Sequence, residues 1–278
     1  MNSVQLDKLK AWFDRFTGGF YGSDDFVNAN IKMKDDHSRR VLGEMLYLAD
    51  QLHLAENQRV LAQAIGLLHD VGRFPQFIKY RTYNDPRSVN HCLLGVEVLQ
   101  NEAVLAGLSE KERQLIEKAI RYHGDKELPE DLDGDTLLFS KMIRDADKLD
   151  IYKVIAEAYI KHRDDPGNFK LEIEFPDIPQ YTPVILEAVL AGRRIDYKQL
   201  RTSNDMKLCI LGWVYDINFP ATLKRLRQRR HLETILEFLP RNEDIAKVRS
   251  KIFAYVDDRA GPGGGGAISL SGPSDWKI

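Results

Sequence analysis

The most informative stretch of this sequence is an apolar run that ends in a histidine–aspartate pair. Residues 64–68 read Ala-Ile-Gly-Leu-Leu, which is typical of a buried helix, and His69 and Asp70 follow just before Gly72. Adjacent residues on a helix point about 100° apart, so two such side chains reach one target most easily at a helix end. An imidazole and a carboxylate are good ligands for a divalent metal ion. The stretch therefore predicts a helix that ends at a metal-binding group.

Helical spacing of apolar residues continues along most of the chain and predicts an all-α fold. The predicted helices cover about residues 4–16, 30–52, 56–69, 88–98, 109–123, 135–162, 183–191, 205–216, 220–238 and 242–258. The pattern changes to alternation between Phe169 and Phe175, which predicts a short strand or an extended flap at 169–175. We therefore expect at most one small β element in an otherwise helical protein.

The composition indicates a soluble globular protein. The chain has 278 residues, of which 43% are hydrophobic and 29% charged, and this length suffices for one large domain or two small ones. A formal net charge of -2 gives no sign of a basic face for nucleic acid. Cys92 and Cys209 are too few for a disulfide framework. The first eight residues do not resemble a signal peptide, and no apolar run reaches membrane-spanning length. We expect a cytoplasmic protein without a membrane partner.

Two segments near the C terminus stand out by composition. The predicted helix 220–238 is strongly basic between Lys224 and Arg230, which is more typical of a solvated helix face than of a docking surface for acidic partners. Residues 261–266 read Gly-Pro-Gly-Gly-Gly-Gly, which cannot form a core. We expect a flexible tail over residues 259–278.

Histidines occupy similar positions on several predicted helices. Four lie at helix ends or on an apolar face: His37, His69, His91 and His123. Each one alone could be a buried neutral histidine with a hydrogen-bond partner. Several unpaired polar groups in one helical core are costly, however, and a metal ion shared with Asp70 and a second carboxylate would give them a common partner.

The predicted helix 135–162 offers two candidates for the second carboxylate. Asp147 shares an apolar stripe with Ile143 and Ile151, whereas Asp145 lies on a different apolar stripe of the same helix. We favour Asp147 as the ligand and keep Asp145 as the alternative. Asp150, one turn beyond Asp147, is a candidate for orienting a ligand.

The order of these residues resembles the H…HD…D signature of the HD-domain phosphohydrolase superfamily. The two additional histidines match those of its binuclear members, which include cyclic-dinucleotide phosphodiesterases and mixed-valent di-iron oxygenases. The matching positions are His37, His69, Asp70, His91, His123 and Asp147. The string from His69 to Arg73 is also similar to the HD-x-G-K motif of those members, with arginine in place of lysine. The resemblance covers about residues 30–163.

The resemblance implies an HD-domain helical bundle with one or two divalent ions per chain. One ion would be held by His37, His69, Asp70 and Asp147, and the second by His91 and His123 with Asp70 bridging. Manganese, cobalt, nickel, iron, magnesium and zinc are not distinguished by these ligands. The expected organisation is an N-terminal helix over 1–29, a catalytic core over 30–163, a helical extension over 164–258 packed on the core, and the tail.

The implied site favours an anionic substrate. Two divalent ions and two carboxylates leave a net charge of about +2, and a metal-activated water has a pKa near ~7 and can attack phosphorus. Asp70 and Arg73 are the expected catalytic residues, and Arg73, Lys148, Gln76 and Arg81 the expected substrate contacts. We expect hydrolysis of a phosphomonoester or phosphodiester, with nucleotides as the first candidates. The alternatives are a mixed-valent di-iron oxygenase on the same ligands and a non-catalytic, metal-stabilised regulatory module. Assembly into a homo-oligomer stays open.

Overall fold

The computed structural model describes residues 1–132, 134–165 and 175–261, and helices account for most of them. Within these three segments no strand is present, so the predicted all-α fold class is confirmed. The β element expected near 169–175 falls outside the described residues, except for Phe175, which lies in a bend. The expected tail likewise lies outside them from residue 262 onwards.

The helices follow one another with short connections. Their bounds are α1 (Ser3–Gly18), α2 (Asp25–Gln51), α3 (Glu56–Leu68), α4 (Arg73–Tyr80), α5 (His91–Asn101), α6 (Glu110–Tyr122), α7 (Gly134–Asp164), α8 (Pro183–Leu190), α9 (Ser203–Gly212), α10 (Pro220–Arg229), α11 (His231–Glu237) and α12 (Glu243–Ala260). Three short 3₁₀ helices lie at Asp85–Arg87, Tyr197–Gln199 and Trp213–Asp216.

The helices differ from those predicted at several places. Helix α2 begins at Asp25 rather than near residue 30, because the Asp24 side chain caps it by accepting a hydrogen bond from the Val27 backbone at 3.1 Å. Helix α4 occupies a segment that was expected to be a loop. The predicted helix 220–238 is divided into α10 and α11, because Arg230 adopts a left-handed conformation with φ of 59°.

Helix α7 joins two hydrophobic cores. Its inward-facing residues between Phe139 and Ala146 pack with α1 to α6, and those between Leu149 and Ala156 pack with α8 to α12. Because the two halves of α7 bury residues in different cores, the helix as a whole carries apolar residues nearly all round. This arrangement places Asp147 at the boundary between the two cores.

The C-terminal helices are tied to α7 by buried polar contacts. Asp145 accepts hydrogen bonds from the backbone N–H groups of Asn218 and Phe219, each at 3.0 Å, and from the Thr222 hydroxyl at 2.8 Å. The carboxylate thus satisfies free donors at the N-terminus of α10, where negative charge is favoured. Tyr152 donates a hydrogen bond to the Ile210 carbonyl at 2.7 Å. The domain boundaries proposed from the sequence stay predictions.

The basic segment 224–230 contributes to packing between helices. Arg225 and Arg229 both pair with Glu44 of α2 at 2.6 Å, and Arg227 pairs with Asp257 of α12 at 3.0 Å. These pairs account for much of the local positive charge. None of the helices in the described parts of the chain is long and apolar enough to cross a membrane.

Candidate metal centre

Four buried imidazoles converge from four helices. His37 lies within α2, His69 directly follows α3, His91 opens α5, and His123 directly follows α6. In each ring Nδ1 contacts an oxygen that accepts a hydrogen bond from it, which leaves Nε2 as the atom that can bind an ion once it carries no proton. The acceptors are Asp150 Oδ2 for His37 (2.6 Å), the Gly66 carbonyl for His69 (2.8 Å), Asp85 Oδ2 for His91 (2.6 Å) and the Ile120 carbonyl for His123 (2.6 Å). The four Nε2 atoms face a common centre as available ligand atoms.

The carboxylate of Asp70 lies between two pairs of imidazoles. Its Oδ2 is 3.5 Å from His37 Nε2 and 3.7 Å from His69 Nε2. Its Oδ1 is 3.5 Å from His91 Nε2 and 3.7 Å from His123 Nε2. The Nε2 atoms of each pair are 3.2 and 3.1 Å apart, respectively. Each carboxylate oxygen therefore forms a small triangle with two imidazole nitrogens.

These triangles fit small divalent ions. With metal–ligand bonds of about 2.0–2.2 Å, the ligand atoms around a four-coordinate ion lie about 3.3–3.6 Å apart. The observed edges of 3.1–3.7 Å are close to that separation. Nitrogen and carboxylate donors of this kind suit several divalent ions. Two sets of donors that could hold a metal ion are His37–His69–Asp70 and His69–His123–Asp147.

Asp147 faces the centre and Asp145 does not. Asp147 Oδ1 lies 3.1 Å from His37 Nε2 and 3.7 Å from His69 Nε2. Asp145 is fully buried, and both of its carboxylate oxygens accept hydrogen bonds at the N-terminus of α10. The Asp147 side chain is 22% exposed, so part of it reaches solvent.

Both carboxyl groups at the centre stay ionised. Burial raises the pKa of Asp70, but the nearby Lys34 and His69 outweigh it and hold that pKa well below its usual value. Burial has the same effect on Asp147, and its contacts with His37 and His69 outweigh burial and hold its pKa well below the usual value. Two ionised carboxylates among four imidazoles are a suitable ligand set for a cation.

Asp150, which accepts the hydrogen bond from His37, is itself held in place. Arg40 binds Asp150 through two contacts, Nε to Oδ1 at 2.6 Å and Nη2 to Oδ2 at 2.9 Å. Asp150 was expected to orient a ligand, and it makes the contact that such a role requires. Asp85, which the sequence did not suggest for this role, occupies the equivalent position beside His91.

The expected substrate contacts have different surroundings. Arg73 Nε lies 3.4 Å from Asp70 Oδ1, while its Nη1 donates to Asp85 at 2.8 Å. Gln76 is fully buried, and its amide donates to Asp85 at 2.9 Å and accepts from Arg73 at 3.0 Å. The structure therefore brings Arg73 to the centre and places Gln76 behind it.

The two remaining expected contacts are engaged in ion pairs. Lys148 lies beside Asp147 in sequence, and its Nζ contacts Asp216 of the C-terminal part at 2.8 Å. Arg81 pairs with Asp24 at 3.1 Å, and both of these side chains are about half exposed.

Two further side chains at the centre were missed from the sequence. Lys34 Nζ lies 2.8 Å from Asp70 Oδ2, and its position one turn before His37 on α2 is the signal that could have found it. Cys92 Sγ lies 3.4 Å from His91 Nε2 and 3.5 Å from His123 Nδ1. Burial raises the pKa of the Cys92 thiol, but the two imidazoles outweigh burial and lower it to about 6.

A buried set of histidines and aspartates between helices is typical of helical proteins that bind metal ions, and such sets are present here. Comparison with protein families narrows this class, because residues 35–165 match the family described as HD domain. The match falls in the segment where the sequence resemblance to HD-domain proteins was found. HD domains are typical of a superfamily of metal-dependent hydrolases. Searches of curated proteins and of solved structures found no match.

Proposed function

We propose that this protein is a metal-dependent phosphohydrolase that acts on phosphomonoesters or phosphodiesters, with nucleotides as the first class to test. The observation that carries the proposal is the position of Asp70, whose two oxygens each face a separate pair of imidazole nitrogens at 3.5–3.7 Å. This arrangement suits two ions that share one carboxylate. Two-metal sites are well suited to displacement at phosphorus.

The proposed ligands fall into two groups. We define the first half-site as His37, His69, Asp147 and Oδ2 of Asp70, and the second half-site as His91, His123 and Oδ1 of Asp70. When bound, divalent ions would supply an activated water near neutral pH and positive charge for the phosphoryl oxygens. The backing hydrogen bonds at Nδ1 fix each imidazole with Nε2 toward its ion.

The chain provides two cations for the substrate. Lys34 Nζ and Arg73 Nε lie 2.8 and 3.4 Å from the two different oxygens of Asp70, so they flank the centre. Positive side chains at these positions would attract and orient a phosphate group, and the guanidinium can bind two phosphate oxygens at once. In this proposal Asp70 and Arg73 are catalytic, and Lys34 joins Arg73 in binding phosphate.

The other expected contacts have supporting or peripheral roles in the proposal. Gln76 positions Arg73 from within the protein, because its side chain is fully buried. Lys148 contacts the substrate only if it leaves Asp216, and Arg81 is outside the proposed site because it pairs with Asp24.

The test is a hydrolysis screen on protein with defined metal content. The protein is stripped with a chelator, reloaded separately with manganese, cobalt, nickel, magnesium, iron or zinc, and assayed for phosphate release from nucleotides and aryl phosphate mono- and diesters. At least one metal should restore turnover, and Asp70→Asn should abolish it and lower the metal content. Asp36→Asn, which alters an exposed carboxylate on α2, is the matched control and should retain both.

Other outcomes would contradict the proposal. Full turnover by Asp70→Asn would remove Asp70 from the site. Consumption of O₂ by the iron-loaded protein without phosphate release would favour an oxygenase. Binding of metal without any turnover would favour a regulatory module.

A further inference from the structure

We propose that Cys92 is a thiolate ligand of the second half-site, which makes that half-site selective for ions that prefer sulfur, such as zinc. This inference rests on the two-ion arrangement of the proposed function and adds one ligand to it. The resulting donor set is His91 Nε2, His123 Nε2, Asp70 Oδ1 and Cys92 Sγ. Histidine nitrogen, carboxylate oxygen and cysteine sulfur are the donors that bind zinc in proteins, and zinc usually takes four of them in a tetrahedron.

The distances among the two imidazoles and the thiol agree with three ligands around one ion. The two Nε2 atoms are 3.1 Å apart, and Sγ is 3.4 Å from that of His91 and 3.9 Å from that of His123. With metal–nitrogen bonds of about 2.0–2.1 Å and a metal–sulfur bond of about 2.3 Å, tetrahedral coordination separates nitrogen and sulfur by about 3.6 Å. His91, Cys92 and His123 also form one of the buried donor groups that could hold a metal ion.

The surroundings of Cys92 differ from those of an ordinary buried cysteine. A buried free cysteine usually packs as a small apolar side chain. Cys209 is buried within the second core. Cys92 is also buried, with 1% of its surface exposed, but it belongs to neither core and contacts two imidazoles.

The residue after His123 leaves space for the thiol. A Cβ atom on Gly124 would lie 2.8 Å from Cys92 Sγ and 3.2 Å from Cε1 of His91. Any side chain at position 124 would therefore push the thiol or the imidazole away from the centre. The absence of a side chain here allows the α5 donors to approach His123.

The proposed thiolate makes the two half-sites chemically different. The first half-site offers only nitrogen and carboxylate oxygen, which also suit manganese and magnesium. The second half-site offers a soft sulfur ligand, which favours zinc, iron or cobalt over magnesium. We expect a protein with one selective and one permissive metal position.

Cobalt substitution tests the inference directly. Stripped protein is titrated with Co²⁺, and the near-ultraviolet thiolate-to-cobalt charge-transfer band is recorded together with the visible cobalt bands. Wild type and the matched control Cys209→Ser should develop the charge-transfer band, whereas Cys92→Ser should lack it. Zinc affinity at the second half-site should fall at least about 10- to 100-fold in Cys92→Ser, because loss of a direct ligand costs no less than loss of a backing residue.

Two results would overturn the inference. They are a charge-transfer band of wild-type intensity in Cys92→Ser, and bound cobalt in wild type without that band. If circular dichroism shows that Cys92→Ser does not fold, X-ray absorption on zinc-loaded wild type decides the matter. A sulfur neighbour at about 2.3 Å supports the inference, and a shell of only nitrogen and oxygen contradicts it.

The hydrolysis screen separates this inference from the proposed function. A protein that shows the cobalt–thiolate band but releases no phosphate would retain the Cys92 ligand and refute the phosphohydrolase. A protein that releases phosphate without the band would support the phosphohydrolase and refute the Cys92 ligand.

Discussion

Asp85 accepts a hydrogen bond from Nδ1 of His91 at 2.6 Å, and the same geometry recurs in the other half of the centre between Asp150 and His37. Each of these carboxylates is in turn bound by an arginine, Arg73 and Arg40 respectively. The second histidine of each half donates instead to a backbone carbonyl three residues earlier. The two halves of the centre thus share one supporting plan, although they are built from different helices.

This plan predicts that each backing carboxylate supports its own ion. Asp150→Asn should weaken binding to the first half-site about 10- to 100-fold, and Asp85→Asn should weaken binding to the second by a similar factor. The reason is that an amide disturbs the contact with arginine and so loosens the imidazole. Metal titration of both variants measures the two affinities. Loss of the same ion in both variants would contradict the plan.

Gly72 is predicted to be required for the approach of α5 to the His-Asp segment. A Cβ atom at this position would lie 2.1 Å from the His91 carbonyl oxygen and 2.6 Å from the Gly95 nitrogen, so the backbone would have to move. Gly72→Ala should lower the free energy of unfolding by about 2 kcal/mol or more and displace His91. Urea unfolding measures this change.

The matched control is Gly43, an exposed glycine on α2 where an added Cβ meets nothing within 4 Å. Gly43→Ala should raise the free energy of unfolding by about 0.5–1 kcal/mol, because alanine is the better helix former. Equal effects of the two substitutions would argue against the close approach.

Lys34 is predicted to bind the phosphate group of the substrate. Lys34→Gln removes its charge and should lower kcat/KM about 10- to 100-fold, which corresponds to about 1.4–2.7 kcal/mol. Lys32→Gln is the matched control, because Lys32 is two residues away and pairs with exposed Asp36 at 2.8 Å. The steady-state rates of both variants provide the measurement. Comparable losses in the two would show that the effect is not specific to the centre.

Asp85 is predicted to contribute to the acid sensitivity of the metal-free protein. Burial raises its pKa, but hydrogen bonds and charge from His91 and Arg73 outweigh burial and lower the pKa from 3.8 to about 2. A carboxyl with a lowered folded-state pKa stabilises the protein above its unfolded-state pKa, and this stability is lost as the pH falls from about 4 to about 2. The free energy of unfolding lost over this pH range is about 2 kcal/mol.

Urea unfolding of wild type and Asp85→Asn after chelation checks this prediction. Wild type should be the more stable protein at pH 6, and the difference should shrink as the pH approaches 2. A difference that stays constant with pH would contradict the assigned cause.

Helical spacing and residue order were enough to predict the fold class and to select residues that the structure brings together. His37, His69, Asp70, His91, His123 and Asp147 all lie at helix ends or on inward faces, where local sequence is informative. The sequence favoured Asp147 over Asp145 but did not exclude Asp145, because both lie on apolar stripes of α7. Asp145 does not face the centre because its carboxylate accepts a hydrogen bond from the backbone at the N-terminus of α10.

The supporting residues were harder to predict because they act through tertiary contacts. Asp85 is six residues before His91, but only the turn before α5 brings its carboxylate to Nδ1. Helix α4 is short and carries aromatic and basic residues, so its periodicity was not recognised. The role of Cys92 depends on His123, which is 31 residues away and belongs to another helix.

Anomalous diffraction from cobalt-loaded crystals would show whether Asp70 is shared between two metal ions. We expect two anomalous peaks per chain, one within about 2.2 Å of each Asp70 carboxylate oxygen and each bordered by two of the four histidines. A single peak, or peaks that leave Asp70 without contact, would contradict it.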